Sequence, residues 1–312
     1  MTLNSGSPAE VASVAVVPLV FPGDETRGAI TLVSAGRGRR MSLADLALME
    51  EIGRRAGVAI ANARVHAARS YIATTLQRSL LPPRLPDVPG LTIAARFRAA
   101  GISSEVGGDF YDLFPAVNGW MVAIGDVTGK GPVAAAITSL ARYTLRTAAL
   151  YERRPERVLE RLNDVLLADP ERRQLCTAVC AHLAPGDEGV HIRLVCAGHP
   201  PPYVLRAGDG AVATGRPGTL LGAFDEIVWD ADELDLRSGD TLVLYTDGVT
   251  DTTRGDGERF GQERLGVLLN SCVGLVPEEI ARRVDAALLD FEEGAQRDDL
   301  AVLVLRADAV SR

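Results

Sequence analysis

The sequence predicts an α+β fold, because strand-like runs follow one another in blocks and helix-like runs come in pairs. From Leu91 onward the strand candidates are 91–98, 119–126, 174–184, 189–196, 202–206, 233–237, 240–246 and 299–306. The helix candidates are 132–150, 155–169, 261–270 and 277–291. Strict strand–helix alternation is missing, and two sheets, each covered by a helix pair, satisfy this order. The helices rest on periodicity. Ile137, Leu140, Ala141, Thr144, Leu145 and Ala148 share one face after Pro132, as do Ile280, Val284, Ala287, Leu288 and Phe291 after Pro277.

The N-terminal stretch has a different grammar. Val14, Val16 and Val17 lead to Pro18, Gly23-Asp24 marks a turn, and residues 29–33 resume a strand. A loop with arginines at 37, 39 and 40 follows, read as exposed. Ser42 is the expected N-cap of a helix running to about Leu80. That helix carries a 3/4-spaced seam of mostly small residues: Met49, Ile52, Ala56, Ala59, Ala63, His66, Ser70, Ala73, Gln77 and Leu80. Two readings are open for it: a homodimer through helix 42–80, or one helix lying on its own domain. Four prolines between Leu81 and Gly90 end the helix and mark a domain boundary.

Composition narrows the function classes. Hydrophobic residues make up 47% and charged residues 24%, which supports a packed core rather than bulk disorder. The net charge of -8 argues against general nucleic-acid binding, which needs a basic footprint. The four cysteines form no CxxC pair and the four histidines show no zinc spacing, so reduced, buried thiols in a cytoplasmic protein are expected. No signal peptide is read at the N-terminus, and the apolar run 11–21 is too short to span a bilayer.

Four segments place an aspartate beside a strand, most with a neighbouring glycine: Glu105-Val-Gly-Gly-Asp-Phe-Tyr-Asp112, Gly125-Asp-Val-Thr-Gly-Lys-Gly131, Leu244-Tyr-Thr-Asp-Gly-Val249 and Arg297-Asp-Asp299. Asp126 and Asp247 each end an apolar strand, whereas Asp298 and Asp299 open one. One Asp-Gly after a strand is ordinarily a turn. Four such motifs suggest convergence. Two like charges 4 Å apart repel by roughly 4 kcal/mol at an effective dielectric near 20, so a carboxylate cluster needs protonation, separation or cations. Oxygen ligands without histidine or cysteine select Mg²⁺ or Mn²⁺. Two such ions can activate a water and clamp a phosphoryl group. The segment 125–131 is not a phosphate loop: its glycine spacing is one residue short, and Asp126 would put negative charge inside the cradle.

At these residues the chain resembles the metal-dependent protein phosphatases, specifically the bacterial branch typified by sporulation protein E. The matching segments are EVGGDFYD at 105–112, GDVTGKG at 125–131, CAGHPPP at 196–202, LYTDGVTD at 244–251 and RDD at 297–299, with LQRSLLPPRLP at 76–86 as a lead-in. The resemblance implies a four-layer αββα sandwich binding two Mn²⁺ or Mg²⁺ ions. It implies that Asp126 bridges both ions with the Val127 carbonyl on one, that Asp247 and Asp298 hold the other, and that Asp109 ligates directly or through water. Asp126, Asp247 and Asp298 are the catalytic candidates, and Asp112 and Asp299 supporting ones. It implies water attack on phosphoserine or phosphothreonine of a regulatory protein, an anti-sigma-factor antagonist by analogy. The alternative is a catalytically weak or inactive partner-binding module of the same fold. One departure is Ala301, where the family often has threonine, removing a hydroxyl.

Residues 11–68 resemble the C-terminal half of a GAF domain, through AVVPLVF at 15–21, GAITLVS at 28–34 and AGVAIANARVHA at 56–67. The expected organisation is a partial α/β GAF-like segment at 1–68, a helical linker with a Pro-rich end at 69–90, a phosphatase domain at 91–307 and a tail at 308–312. Three further residues invite readings. His199 is either a substrate contact or, as favoured, a turn residue between strands. Lys130 either attracts phosphate or, as favoured, is solvated. Trp120 and Trp229 are expected to pack.

Overall fold

The computed structural model describes residues 11–23, 25–35, 40–99, 106–168, 174–255, 257–293 and 298–308. Glu105, Arg297 and the arginines at 37 and 39 lie outside them, as do the side chains of Ser70, Ala73 and Gln77. The chain divides into two compact units, 1–71 and 72–312.

In the first unit, β1 (Val11–Phe21) and β2 (Glu25–Ala35) form an antiparallel hairpin that pairs Val17 with Ile30. Helix α1 (Leu43–Leu80) starts here with a reciprocal cap. The Asp45 amide donates to Ser42 Oγ at 3.2 Å, and the Ser42 amide donates to Asp45 Oδ2 at 2.7 Å. The helix is seated through Met49, Gly53 and Gly57, which are buried. A Cβ on Gly57 would come within 2.0 Å of the Val20 carbonyl, so only glycine lets the helix approach β1 this closely. The seam read from sequence is therefore, for the most part, not what seats the helix on its own unit. Met49 belongs to this seat, whereas Ile52, Ala59, Ala63 and His66 are exposed.

The second unit is a four-layer sandwich. One sheet has the order β10 (Pro217–Gly218), β7 (Gly189–Ala197), β6 (Cys176–Gly186), β5 (Gly119–Val127), β4 (Phe110–Ala116), with β11 (Asp232–Leu236) also paired to β7. The other has the order β3 (Leu91–Arg98), β13 (Leu300–Ala307), β12 (Thr241–Tyr245), β8 (Tyr203–Arg206), β9 (Gly210–Ala213). Strand alternation sorts side chains into three cores. Val122 and Ile124 of β5, Leu242 and Leu244 of β12, and Leu303 and Leu305 of β13 fill the space between the sheets. Met121 and Ala123 face α2 (Pro132–Ala149) and α3 (Pro155–Leu167). Val243, Tyr245, Val302 and Val304 face α5 (Gly261–Asn270) and α6 (Pro277–Phe291). A one-turn helix, α4 (Asp247–Asp251), follows β12.

The predicted αββα layering is present. Helices 261–270 and 277–291 and strand 91–98 fall where expected. Trp229 packs in the α2–α3 core and donates from Nε1 to the Thr219 carbonyl at 2.7 Å.

Candidate metal centre

The site forms because two pairs of neighbouring strands end at the same place. Strands β4 and β5 are antiparallel and pair Phe110 with Gly125, so Asp109, just before β4, lies beside Asp126, near the end of β5. In the other sheet, β12 pairs Tyr245 with Val302 of β13, so Asp247 lies beside the start of β13, where Asp298 and Asp299 precede Leu300. The carboxylate oxygens of Asp109, Asp126 and Asp247 come within 4.8 Å of one another. All five residues of β12 are buried, which makes the strand a rigid arm for Asp247.

Glycines permit this crowding. A Cβ on Gly108 would sit 2.0 Å from the Val127 carbonyl oxygen and 2.5 Å from Asp126 Oδ1. The Val127 carbonyl thus lies on the same side of Gly108 as the Asp126 carboxylate. A Cβ on Gly107 would likewise strike the carboxylate of Asp299, a buried residue.

Among the described residues, no lysine or arginine forms an ion pair with any of these three carboxyl groups, and the pKa of all three is pushed up. Burial first, and then the charge of Asp126, hold the Asp109 pKa well above the usual carboxylate range. Burial, then Asp247 and Asp298, push Asp126 up to about 7. Asp247 is raised by burial and by Asp298. An all-oxygen donor set in this state fits a hard divalent cation, Mg²⁺ or Mn²⁺.

Asp298 stands apart from the trio. Its charge reaches Asp126 and Asp247, but its half-exposed carboxylate is 2.9 Å from Lys130 Nζ. Lys130 is exposed, as expected, and this exposed ion pair is a contact it makes in the structure. Asp112 also corrects the expectation. It is buried on the α2 side and accepts bonds from Arg142 Nη2 at 2.8 Å, and from Arg146 Nε and Nη2 at 2.7 Å each. It anchors α2 to β4. Arg142 Nη1 also donates to the Leu80 carbonyl at the end of α1.

His199 is buried, which rules out the substrate contact in this conformation. Nε2 donates to the Tyr245 carbonyl at 3.1 Å, so Nδ1 must accept the 2.8 Å bond from Thr177 Oγ1. Thr177 stands opposite Asp126 across β5–β6. Burial lowers the imidazole to about 4, keeping it neutral. Sequence reasoning passed over Thr246. Its hydroxyl donates to Asp109 Oδ2 at 2.6 Å and accepts from the Ala301 amide at 3.0 Å. A hydroxyl is thus supplied beside position 301 from the adjacent strand.

Known proteins share this architecture. Residues 117–308 match the model of the Stage II sporulation protein E family. Phosphoserine phosphatase RsbU of Bacillus subtilis is 26% identical over 238 residues, covering 75% of this chain and 69% of RsbU. The structure of the RsbU and RsbW domains of Rv1364c from Mycobacterium tuberculosis superposes with a TM-score of 0.63 at 25% identity, covering 73% of this chain and 63% of that one. The catalytic domain of the serine threonine protein phosphatase PstP, solved with two manganese ions, has a TM-score of 0.51 at 17% identity, covering 70% of this chain and 98% of that one.

Proposed function

The chain belongs to the Stage II sporulation protein E family, and on that premise we propose that it is a metal-dependent protein serine/threonine phosphatase. The observation that carries this reading is the convergence of Asp109, Asp126 and Asp247 within 4.8 Å, with the pKa of each carboxyl group pushed up. Two divalent ions bound there would supply an activated water and neutralise charge on a phosphoryl group. Asp126, the Val127 carbonyl, Asp247 and Asp298 would hold the ions, with Asp109 as a further ligand directly or through water. Asp298 would exchange its contact with Lys130 for that role. Asp299 braces the loop at Gly107.

Phosphoserine or phosphothreonine in a regulatory protein is the proposed substrate, an anti-sigma-factor antagonist by analogy with the RsbU relatives. Among the described residues no helix is long and apolar enough to cross a membrane, in keeping with the proposed cytoplasmic location. The hairpin and helix of 11–68 follow the order of the partial GAF motifs. The exposed face of α1 that carries Ile52, Ala59, Ala63 and His66 supports a homodimer through helix 42–80, to be measured by light scattering.

The test of the activity is phosphate release from a phosphoserine peptide with Mn²⁺. Activity should vanish with EDTA and in Asp126→Asn and Asp247→Asn. Activity that survives any of these refutes the mechanism, and absence of Mn²⁺ binding by calorimetry would favour the inactive partner-binding module.

A further inference from the structure

We infer that Thr246 is a positioning residue of the metal centre, holding the Asp109 carboxylate in its ligating orientation from the opposite sheet. The inference rests on the phosphatase reading above and deepens it.

Three observations carry it. Thr246 is fully buried between Tyr245 and Asp247, so its hydroxyl has no solvent to turn to. Both of its hydrogen bonds have a fixed direction. The Ala301 amide is a donor, so Thr246 Oγ1 must accept there at 3.0 Å. Its one proton is then free for Asp109 Oδ2, at 2.6 Å. Finally, the Thr246 amide donates to the Ala301 carbonyl at 3.0 Å, which closes a two-bond clasp and leaves the hydroxyl little freedom to swing away.

The result is a relay from a β13 amide, through a β12 hydroxyl, to the carboxylate that precedes β4. It crosses from one sheet to the other at the place where their carboxylates meet. With Oδ2 held, rotation of the Asp109 carboxylate about its Cβ–Cγ bond is restrained. Partners of this kind fix ligand direction, and their loss typically costs about 10–100-fold in metal affinity. Only serine or threonine offers a donor and an acceptor on one short arm at this position. A purely structural Thr246 would instead act by pinning β12 to β13, and its loss would change stability without a specific effect on metal.

The experiment is titration of the EDTA-treated, dialysed full chain with MnCl₂ by calorimetry, alongside thermal unfolding of the metal-free protein. Thr246→Val keeps the shape and removes the hydroxyl; Thr246→Ser restores it. Val should bind Mn²⁺ about 10–100-fold more weakly, and Ser should bind within about threefold of wild type. If Val does not fold, Thr246→Ala is measured in its place. Wild-type Mn²⁺ affinity in the hydroxyl-free variant overturns the inference. So does an equal loss in Ser and Val, which would trace the effect to packing. A wild type that binds no Mn²⁺ sinks the phosphatase reading, and this inference with it; a normal wild type with an unaffected Val sinks this inference alone.

Discussion

Removing one acidic side chain from the centre should make the metal-free protein more stable, and Asp126→Asn is the sharpest case. In the folded protein burial and the charges of Asp247 and Asp298 raise Asp126 to about 7, against about 3.9 for an unperturbed aspartate. A raised folded pKa contributes stability that is fully present below the unfolded value and is lost as pH rises through the folded one. At about 1.36 kcal/mol per pKa unit, the loss is about 4 kcal/mol by pH 8, of which about 2 kcal/mol falls between pH 5 and 7. For a unit of this size that part corresponds to roughly 4–8 °C in Tm. Asparagine has the same shape and no charge. In EDTA the wild-type Tm should therefore fall from pH 5 to pH 8, and Asp126→Asn should fall by less and be the more stable protein at pH 8. Asp109 and Asp247 still titrate in the variant, so some slope remains. His199 contributes equally to both proteins and cancels in the comparison. Saturating Mn²⁺ should reverse the ranking, since it binds the folded wild type through the carboxylate the variant lacks. The assay is differential scanning calorimetry across pH with and without metal. Parallel slopes for the two proteins in EDTA, or a less stable Asp126→Asn at pH 8, would refute the charge-cluster argument.

Gly108→Ala should cost at least about 100-fold in kcat/KM for phosphopeptide, because its Cβ would lie 2.0 Å from the Val127 oxygen and 2.5 Å from Asp126 Oδ1, and misplacement by about 1 Å has that effect. Arg142→Met leaves the buried Asp112 with one arginine instead of two and should lower stability to urea by about 3 kcal/mol. An unfolded His199 takes a proton near 6.5 and the buried one only near 4, so wild-type stability should drop by about 3 kcal/mol as pH falls across that interval. His199→Gln removes the titrating group and should flatten this acid limb of the urea-unfolding profile.

The sandwich was legible because its central strands have one face on the inter-sheet core and one on a helix pair, which produces uninterrupted apolar runs such as Leu242-Val-Leu-Tyr245. Strand β4 escaped for the opposite reason. Phe110–Ala116 contains Asp112 and Pro115, and nothing local reveals that Arg142 and Arg146, 30 and 34 residues further on, neutralise that aspartate. Strands β9 and β10 are too short to carry a pattern, and only their pairing with β8 and β7 makes them strands. The face that seats α1 on the hairpin was not legible because it uses Gly53 and Gly57, where what matters is the lack of a side chain, and a hydrophobic periodicity does not register that. At the site, the carboxylates could be found because aspartates at strand ends repeat a pattern. Thr246, the Lys130–Asp298 pair and the bonds of His199 could not, since each depends on a partner brought close only by the fold.

The same features that make the site visible also set its energetics. Burial first, and then neighbouring carboxylates, hold the pKa of each of the three clustered aspartates up, which means that the fold is held together against their ionised forms. The strands beside them can bear this because most of their other residues are buried in three separate apolar cores. Rigidity then serves chemistry: a flexible loop would relieve the repulsion by moving apart, whereas a strand end cannot, so the repulsion persists until a cation removes it. Metal at 100 times its Kd would return about 2.7 kcal/mol of stability. Binding and folding are therefore linked through the same oxygens, and a substitution that relaxes the metal-free protein by deleting one of them weakens the metal site in the same step.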